Sequence, residues 1–179
     1  MSIRKMWLIY GACCITGAVF GTEKLEISAD NDFEKIHSVW IANTGLNKKF
    51  PGSKVEKSPN GVAGNCMKVT AGEGTTQVYM LKWISVKKGD QLKFSFQVKG
   101  EGTYQTGCYL YKADKKYAGI YMNKDFRTIS PEKGWTKQEH TIDTSRFRVP
   151  ADFAFITIEV GKNSQLFFDN FEGFVERKP

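Results

Sequence analysis

A carboxylate in the middle of an aromatic run is the most unusual chemistry in this chain. Residues 166–174 read LFFDNFEGF, with Asp169 and Asn170 inside a stretch holding four phenylalanines. A run of this kind reads as a buried strand, and a buried carboxylate costs several kcal/mol unless it is paired or bound to a metal. Two answers are open. Asp169 helps to hold a cation, or it takes an outward strand position with a backbone amide or a lysine as partner.

Catalysis needs titratable groups in matched roles, and the sequence offers few. His37 lies near a turn and His140 in a polar strand, so both are expected at the surface. No HExxH, GxSxG or phosphate-cradling glycine loop occurs. Glycoside cleavage requires two carboxylates facing one cleft, and Glu101, Glu139 and Glu159 show no such pairing in the sequence. The expectation is a protein that binds rather than an enzyme.

The elements that must position these residues are read from alternation. No long segment shows apolar residues at helical spacing. QLKFSFQVKG (91–100) instead places Leu92, Phe94, Phe96 and Val98 on one face and Lys93, Ser95, Gln97 and Lys99 on the other, the mark of a half-buried strand. NCMKVTA (65–71), QVYMLKWISV (77–86), TYQTGCYLYKAD (103–114), YAGIYMN (117–123), WTKQEHTID (135–143), FAFITIEV (153–160) and QLFFDNFEGFV (165–175) continue the pattern. Lys87-Lys88-Gly89-Asp90 is a turn signal. Eight or nine short strands without alternating helices predict one all-β domain, an antiparallel two-sheet β-sandwich of the jelly-roll kind.

The first 21 residues differ from the rest. MSIRK is followed by the uncharged MWLIYGACCITGAVFG, the n-region and h-region of a secretory signal. The apolar run is short for a membrane span, which needs roughly 20 residues. Cleavage is expected after Gly21, leaving a domain over 22–179 that is secreted or periplasmic. Gly11-Ala12-Cys13 resembles the end of a lipidation box, but Tyr10 is a poor start to one and cleavage there would leave an apolar stub. Lipid anchoring is therefore not expected.

Without the leader the chain carries 24 basic and 19 acidic residues, a net charge of +5. The lysines are dispersed, with no run longer than a pair, which argues against a nucleic-acid patch. Cys66 and Cys108 remain. A disulfide between them would close a loop of about 40 residues, contributing roughly 3–4 kcal/mol; two separate buried thiols are the alternative.

The run KKGDQLKFSFQVKGEG, with GNCMKVTA before it, DNDFEKIHSVW (30–40) near the start, Trp135, and FFDNF (167–171) near the end, resembles jelly-roll carbohydrate-binding modules of the family 4, 9, 16 and 22 type, the galactose-binding-like group. The resemblance spans nearly the whole of 22–179 in the same order. It implies a non-catalytic module that holds a polysaccharide or oligosaccharide on a concave sheet face. It also implies a structural calcium where the first and last strands meet, carried by Glu34 and Asp169, with Asp30, Asp32 and Asn170 as weaker ligands. Calcium takes 6–8 oxygens at about 2.3–2.6 Å. Trp40 and Trp135 match positions that look structural in these modules.

Sugars are held by aromatic rings against their apolar faces and by amides, carboxylates and cations at their hydroxyls. If Ile84 and Val86 face the core, Tyr79 and Trp83 leave by the other side of the same strand. Gln97 and Lys99 lie opposite Phe94 and Phe96, and Tyr109 and Tyr111 opposite Cys108 and Leu110. These six are the candidate ligand-binding residues, and the lysines favour a carboxylated or sulfated glycan. The protein is expected to be a monomer. A structural or adhesive envelope protein is the alternative. A remoter one rests on YAGIYMN, which loosely echoes a strand of jelly-roll alginate lyases and would make Tyr121 a proton-transfer residue.

Overall fold

The computed structural model describes residues 22–27, 33 and 39–177. Residues 1–21, read from the sequence as a secretory signal, and Asp30, Asp32, Glu34 and His37 lie outside the described residues. The strands run β1 Glu23–Glu26, β2 Trp40–Ala42, β3 Lys54–Ser58, β4 Cys66–Ala71, β5 Thr76–Met80, β6 Ile84–Ser85, β7 Gln91–Tyr111, β8 Tyr117–Met122, β9 Arg127–Ile129, β10 Thr136–Asp143, β11 Phe153–Val160 and β12 Ser164–Arg177. A single helical turn, α1 Thr44–Asn47, follows β2.

All pairings are antiparallel and they form two layers. In the first sheet the order is β10, the first half of β7, β12, β4 and β3, with β1 beside the far end of β12. In the second it is β2, β5, β11, the second half of β7, then β8 and β9, with β6 also on β11. This is the antiparallel sandwich that the alternation predicts. The core between the sheets takes Leu92, Phe96 and Val98 from β7, Ile156, Ile158 and Val160 from β11, and Leu166 and Phe168 from β12, together with Trp40.

The expected break between 91–100 and 103–114 does not occur. β7 runs through it as one strand of 21 residues and crosses from the first sheet to the second. Gly100 (φ 119°) and Gly102 (φ 130°) permit the passage, since both angles disfavour a side chain. A Cβ on Gly100 would lie 2.2 Å from the Gln165 carbonyl oxygen, so β12 approaches too closely for any other residue. The long strand expected over 77–86 is split instead into β5 and β6.

Asp169 is fully buried. It pairs with Gln97 in the β12–β7 ladder, just before a bulge at which Asn170 adopts φ 50° and the register shifts. One carboxylate oxygen accepts from the Val62 amide at 2.6 Å and the other from the Asn170 amide at 2.8 Å. Backbone amides from the loop before β4 and from the bulge are thus partners of this charge. The other end of β12 is secured by Arg177, whose guanidinium reaches both oxygens of the buried Asp90 at 3.1–3.3 Å.

Two expectations are corrected here, and one open alternative is decided. Cys66 and Cys108 are not bridged; they are separate buried thiols on β4 of the first sheet and β7 in the second. Burial pushes both thiols up. His140 is not at the surface. It packs face-on against Phe94 and Phe96, with Tyr104 Oη 3.1 Å from Nε2 and Thr106 Oγ1 3.4 Å from Nδ1. Trp40 is core, as expected, whereas Trp135 is only half-buried, with the Lys99 ammonium 4.5 Å above its ring.

Candidate functional site

Alternation on the second sheet sends Val78, Met80, Cys108, Leu110, Ile156 and Ile158 inward. The intervening residues form the outer face, and the register lines them up in rows. Gln77, Glu159 and Gln105 make one row across β5, β11 and β7. Tyr79 and Thr157 follow, then Phe155 with Tyr109, then Phe153 with Tyr111. One end of the face is therefore polar and the rest aromatic.

The aromatic rings touch one another. Tyr79 meets Tyr109 edge-on at 5.5 Å and lies parallel to Phe155 at 6.2 Å. Trp83, just before β6, packs edge-on to Phe155 at 4.6 Å, Tyr111 at 5.1 Å and Phe153 at 5.5 Å. Tyr117 closes the group against Tyr109 and Tyr111. Phe155 is almost wholly covered by these neighbours although it points away from the core (3% exposed), whereas Trp83 stays 39% and Tyr117 58% exposed. Lys115 sits 5.2 Å from the Trp83 ring centroid. Rings held edge-on by their neighbours need no reordering when a ligand lands on them.

The polar row is equally constrained. Asn43, which caps α1, donates to Tyr109 Oη at 2.6 Å, and Tyr109 donates onward to Gln77 Oε1 at 2.5 Å. Gln77 Nε2 donates to one oxygen of Glu159 and Gln105 Nε2 to the other, the latter at 2.8 Å. Asn47 exchanges bonds with the Gln77 backbone at 3.0 and 3.1 Å. Burial raises the Tyr109 phenol, against the opposing Asn43 bond, and burial also raises Tyr111. Both therefore remain protonated donors at neutral pH. Glu159 is bonded by two amides, an arrangement that presents acceptors and donors to hydroxyl groups.

Of the six sequence candidates, the structure brings together Tyr79, Trp83, Tyr109 and Tyr111. Gln97 and Lys99 are on the outer face of the other sheet. They belong to the first half of β7, and the crossing at Gly100–Gly102 carries Tyr109 and Tyr111 to the opposite side of the sandwich. Lys99 donates to the Asn60 carbonyl at 2.9 Å. Sequence reasoning missed Asn43, Gln77, Gln105, Phe153, Phe155 and Glu159. The alternation in FAFITIEV would have found Phe153, Phe155 and Glu159, because Ile156 and Ile158 already mark the inner face. Tyr121 lies off the aromatic face, its hydroxyl donating to Asn123 at 3.2 Å.

The fold is shared with carbohydrate-binding modules. The chain superposes on the CBM22-1 xylan-binding domain of Paenibacillus barcinonensis Xyn10C with a TM-score of 0.56 at 13% identity, over 83% of this chain and 94% of that one. A Family 16 Carbohydrate Binding Module-2 gives 0.52 at 14% identity over 81% and 96%. The enzymatically active domain of bacteriophage CBA120 tailspike protein 4 gives 0.57 at 12% identity, over 84% of this chain but only 21% of the tailspike chain. No family model and no curated protein matches the sequence. Likeness at such identities is likeness of fold, an antiparallel jelly-roll sandwich.

Proposed function

We propose that this chain is a secreted, non-catalytic glycan-binding module that lays a polysaccharide or oligosaccharide on the outer face of the second sheet. The observation that carries this reading is the aromatic surface around Trp83, Tyr79 and Tyr111, continuous with the fixed row Asn43–Tyr109–Gln77–Glu159–Gln105. Rings suit the apolar faces of sugars and the amide–carboxylate row suits their hydroxyls. The structural neighbours support it, since one is described as xylan-binding and another as a carbohydrate-binding module.

The test is thermal melting of residues 22–179 across neutral and acidic polysaccharides. A ligand at 100 times its Kd adds about 2.7 kcal/mol to stability, a shift that a melt resolves. Trp83→Ala is expected to weaken binding at least about tenfold, the range of an aromatic anchor, while the protein stays folded because Trp83 is partly exposed. No shift with any glycan would favour a structural or adhesive envelope protein instead.

The same reading includes a structural calcium on Asp169 and Glu34. What supports it is a fully buried carboxylate beside a bulge. The alternative partners are the two backbone amides that already bond Asp169. Melting with calcium and with chelator decides between a cation and the amides as the source of compensation.

A further inference from the structure

A cavity of about 680 Å³ opens at the side of the sandwich, where β10 of the first sheet faces β8 and β9 of the second. Four cations from three segments line it: Lys124 from the β8–β9 connection, Arg127 from β9, and Arg146 and Arg148 from the chain after β10. Asp125 is the acidic residue in the lining, so the charge there is strongly positive. Arg127 is fixed across the gap, donating to Gln138 Oε1 at 3.0 Å and to the Glu139 carbonyl at 2.8 Å. The side of the cavity towards the core is an ordered polar chain in which Tyr121 donates to Asn123 and Asn123 donates to Thr106 Oγ1 at 3.1 Å, next to His140. Ile120, the ladder partner of Tyr109, also lines the cavity. The cavity is therefore adjacent to the aromatic face, and a chain lying on that face reaches it along β8.

We infer that this cavity binds the anionic substituent, carboxylate or sulfate, of an acidic glycan whose neighbouring sugars lie on the aromatic face. The inference rests on the glycan-binding reading and names its ligand class. Guanidinium groups bind carboxylate and sulfate oxygens by paired, charge-assisted hydrogen bonds. Four dispersed cations on a flat surface would be solvated individually; here they converge on a concave space of ligand size.

The experiment compares polygalacturonate, its fully methyl-esterified form and dextran sulfate, each titrated by calorimetry into residues 22–179 and three variants. Arg146→Ala/Arg148→Ala removes two exposed cations, Arg148→Glu reverses one, and Trp83→Ala addresses the face; melting confirms that each is folded. The wild type is expected to bind polygalacturonate or dextran sulfate at least tenfold more tightly than the ester, and whichever polymer is preferred identifies the anion. Arg146→Ala/Arg148→Ala and Arg148→Glu are expected to erase that preference and leave binding of the ester unchanged.

A preference that survives both arginine variants overturns the cavity assignment while the face reading stands. Anion binding lost in the arginine variants but untouched by Trp83→Ala keeps the cavity and overturns the face. Equal affinity for all three polymers overturns the inference.

Discussion

His140 illustrates how a single side chain sets a pH dependence. Burial, and secondarily the Arg127 charge, lowers its pKa from the ordinary 6.5 to about 3. The unfolded chain takes up a proton below pH 6.5 that the folded chain refuses, so the stability tied to this group is complete above pH 6.5 and is lost as the pH falls towards 3. One proton corresponds to about 1.4 kcal/mol per pH unit. Between about pH 6.5 and 5, before most carboxylates titrate, the wild type is expected to lose about 2 kcal/mol more than His140→Gln. Equal losses in chemical denaturation at the two pH values would remove His140 as the cause. Its burial was missed because WTKQEHTID reads as a mostly polar strand, although Ile142, two residues on, marks the same inward face; the β10–β7 register sets His140 against Phe94 and Phe96. Tyr109 and Tyr111 were legible from alternation once Cys108 is inward, whereas Tyr79 reaches the same face as Trp83 although the strand between them is interrupted.

At the scale of elements, β7 decides the geometry of the site. Its two halves read correctly as strands, but Lys99-Gly100-Glu101-Gly102 reads as a turn, because glycine pairs with lysine in turns as readily as at a crossing between sheets. The error had a cost: Gln97 and Lys99 were grouped with tyrosines that the crossing moves to the opposite face. Gly100→Ala is expected to destabilise the domain by at least about 2 kcal/mol in urea denaturation, since it combines a positive φ with a backbone clash. Gly134→Ala is the control, with φ 61° but nothing within 4 Å of its Cβ, and it is expected to cost about 1 kcal/mol. Equal costs for the two would show that the close approach of β12 at Gln165 is not what demands glycine.

For the whole molecule, the sandwich follows from alternation alone, whereas the pairing order depends on contacts far apart in sequence that no local pattern encodes. The calcium expectation belongs to this scale, because Glu34, which falls between β1 and β2 in the sequence, and Asp169 on β12 come from the two ends of the chain. Asp169→Ala is expected to lower the melting temperature and to abolish any effect of chelator on it. A wild-type melting temperature indifferent to chelator would leave the Val62 and Asn170 amides as the compensation for this charge.

The continuity of β7 has a consequence for how the chain is made. Its first half bears Leu92, Phe94, Phe96 and Val98, and its ladder partners on either side, β10 and β12, are both synthesised after it, β12 last of the strands. During translation the hydrogen-bonding edge of this strand emerges long before β12 can pair with it. Both sheets include β7, but every strand of the second sheet precedes β12, so it is the first sheet that must wait for the last strand. Completion of the first sheet therefore waits for β12, and pairings so far apart in sequence are expected to form slowly.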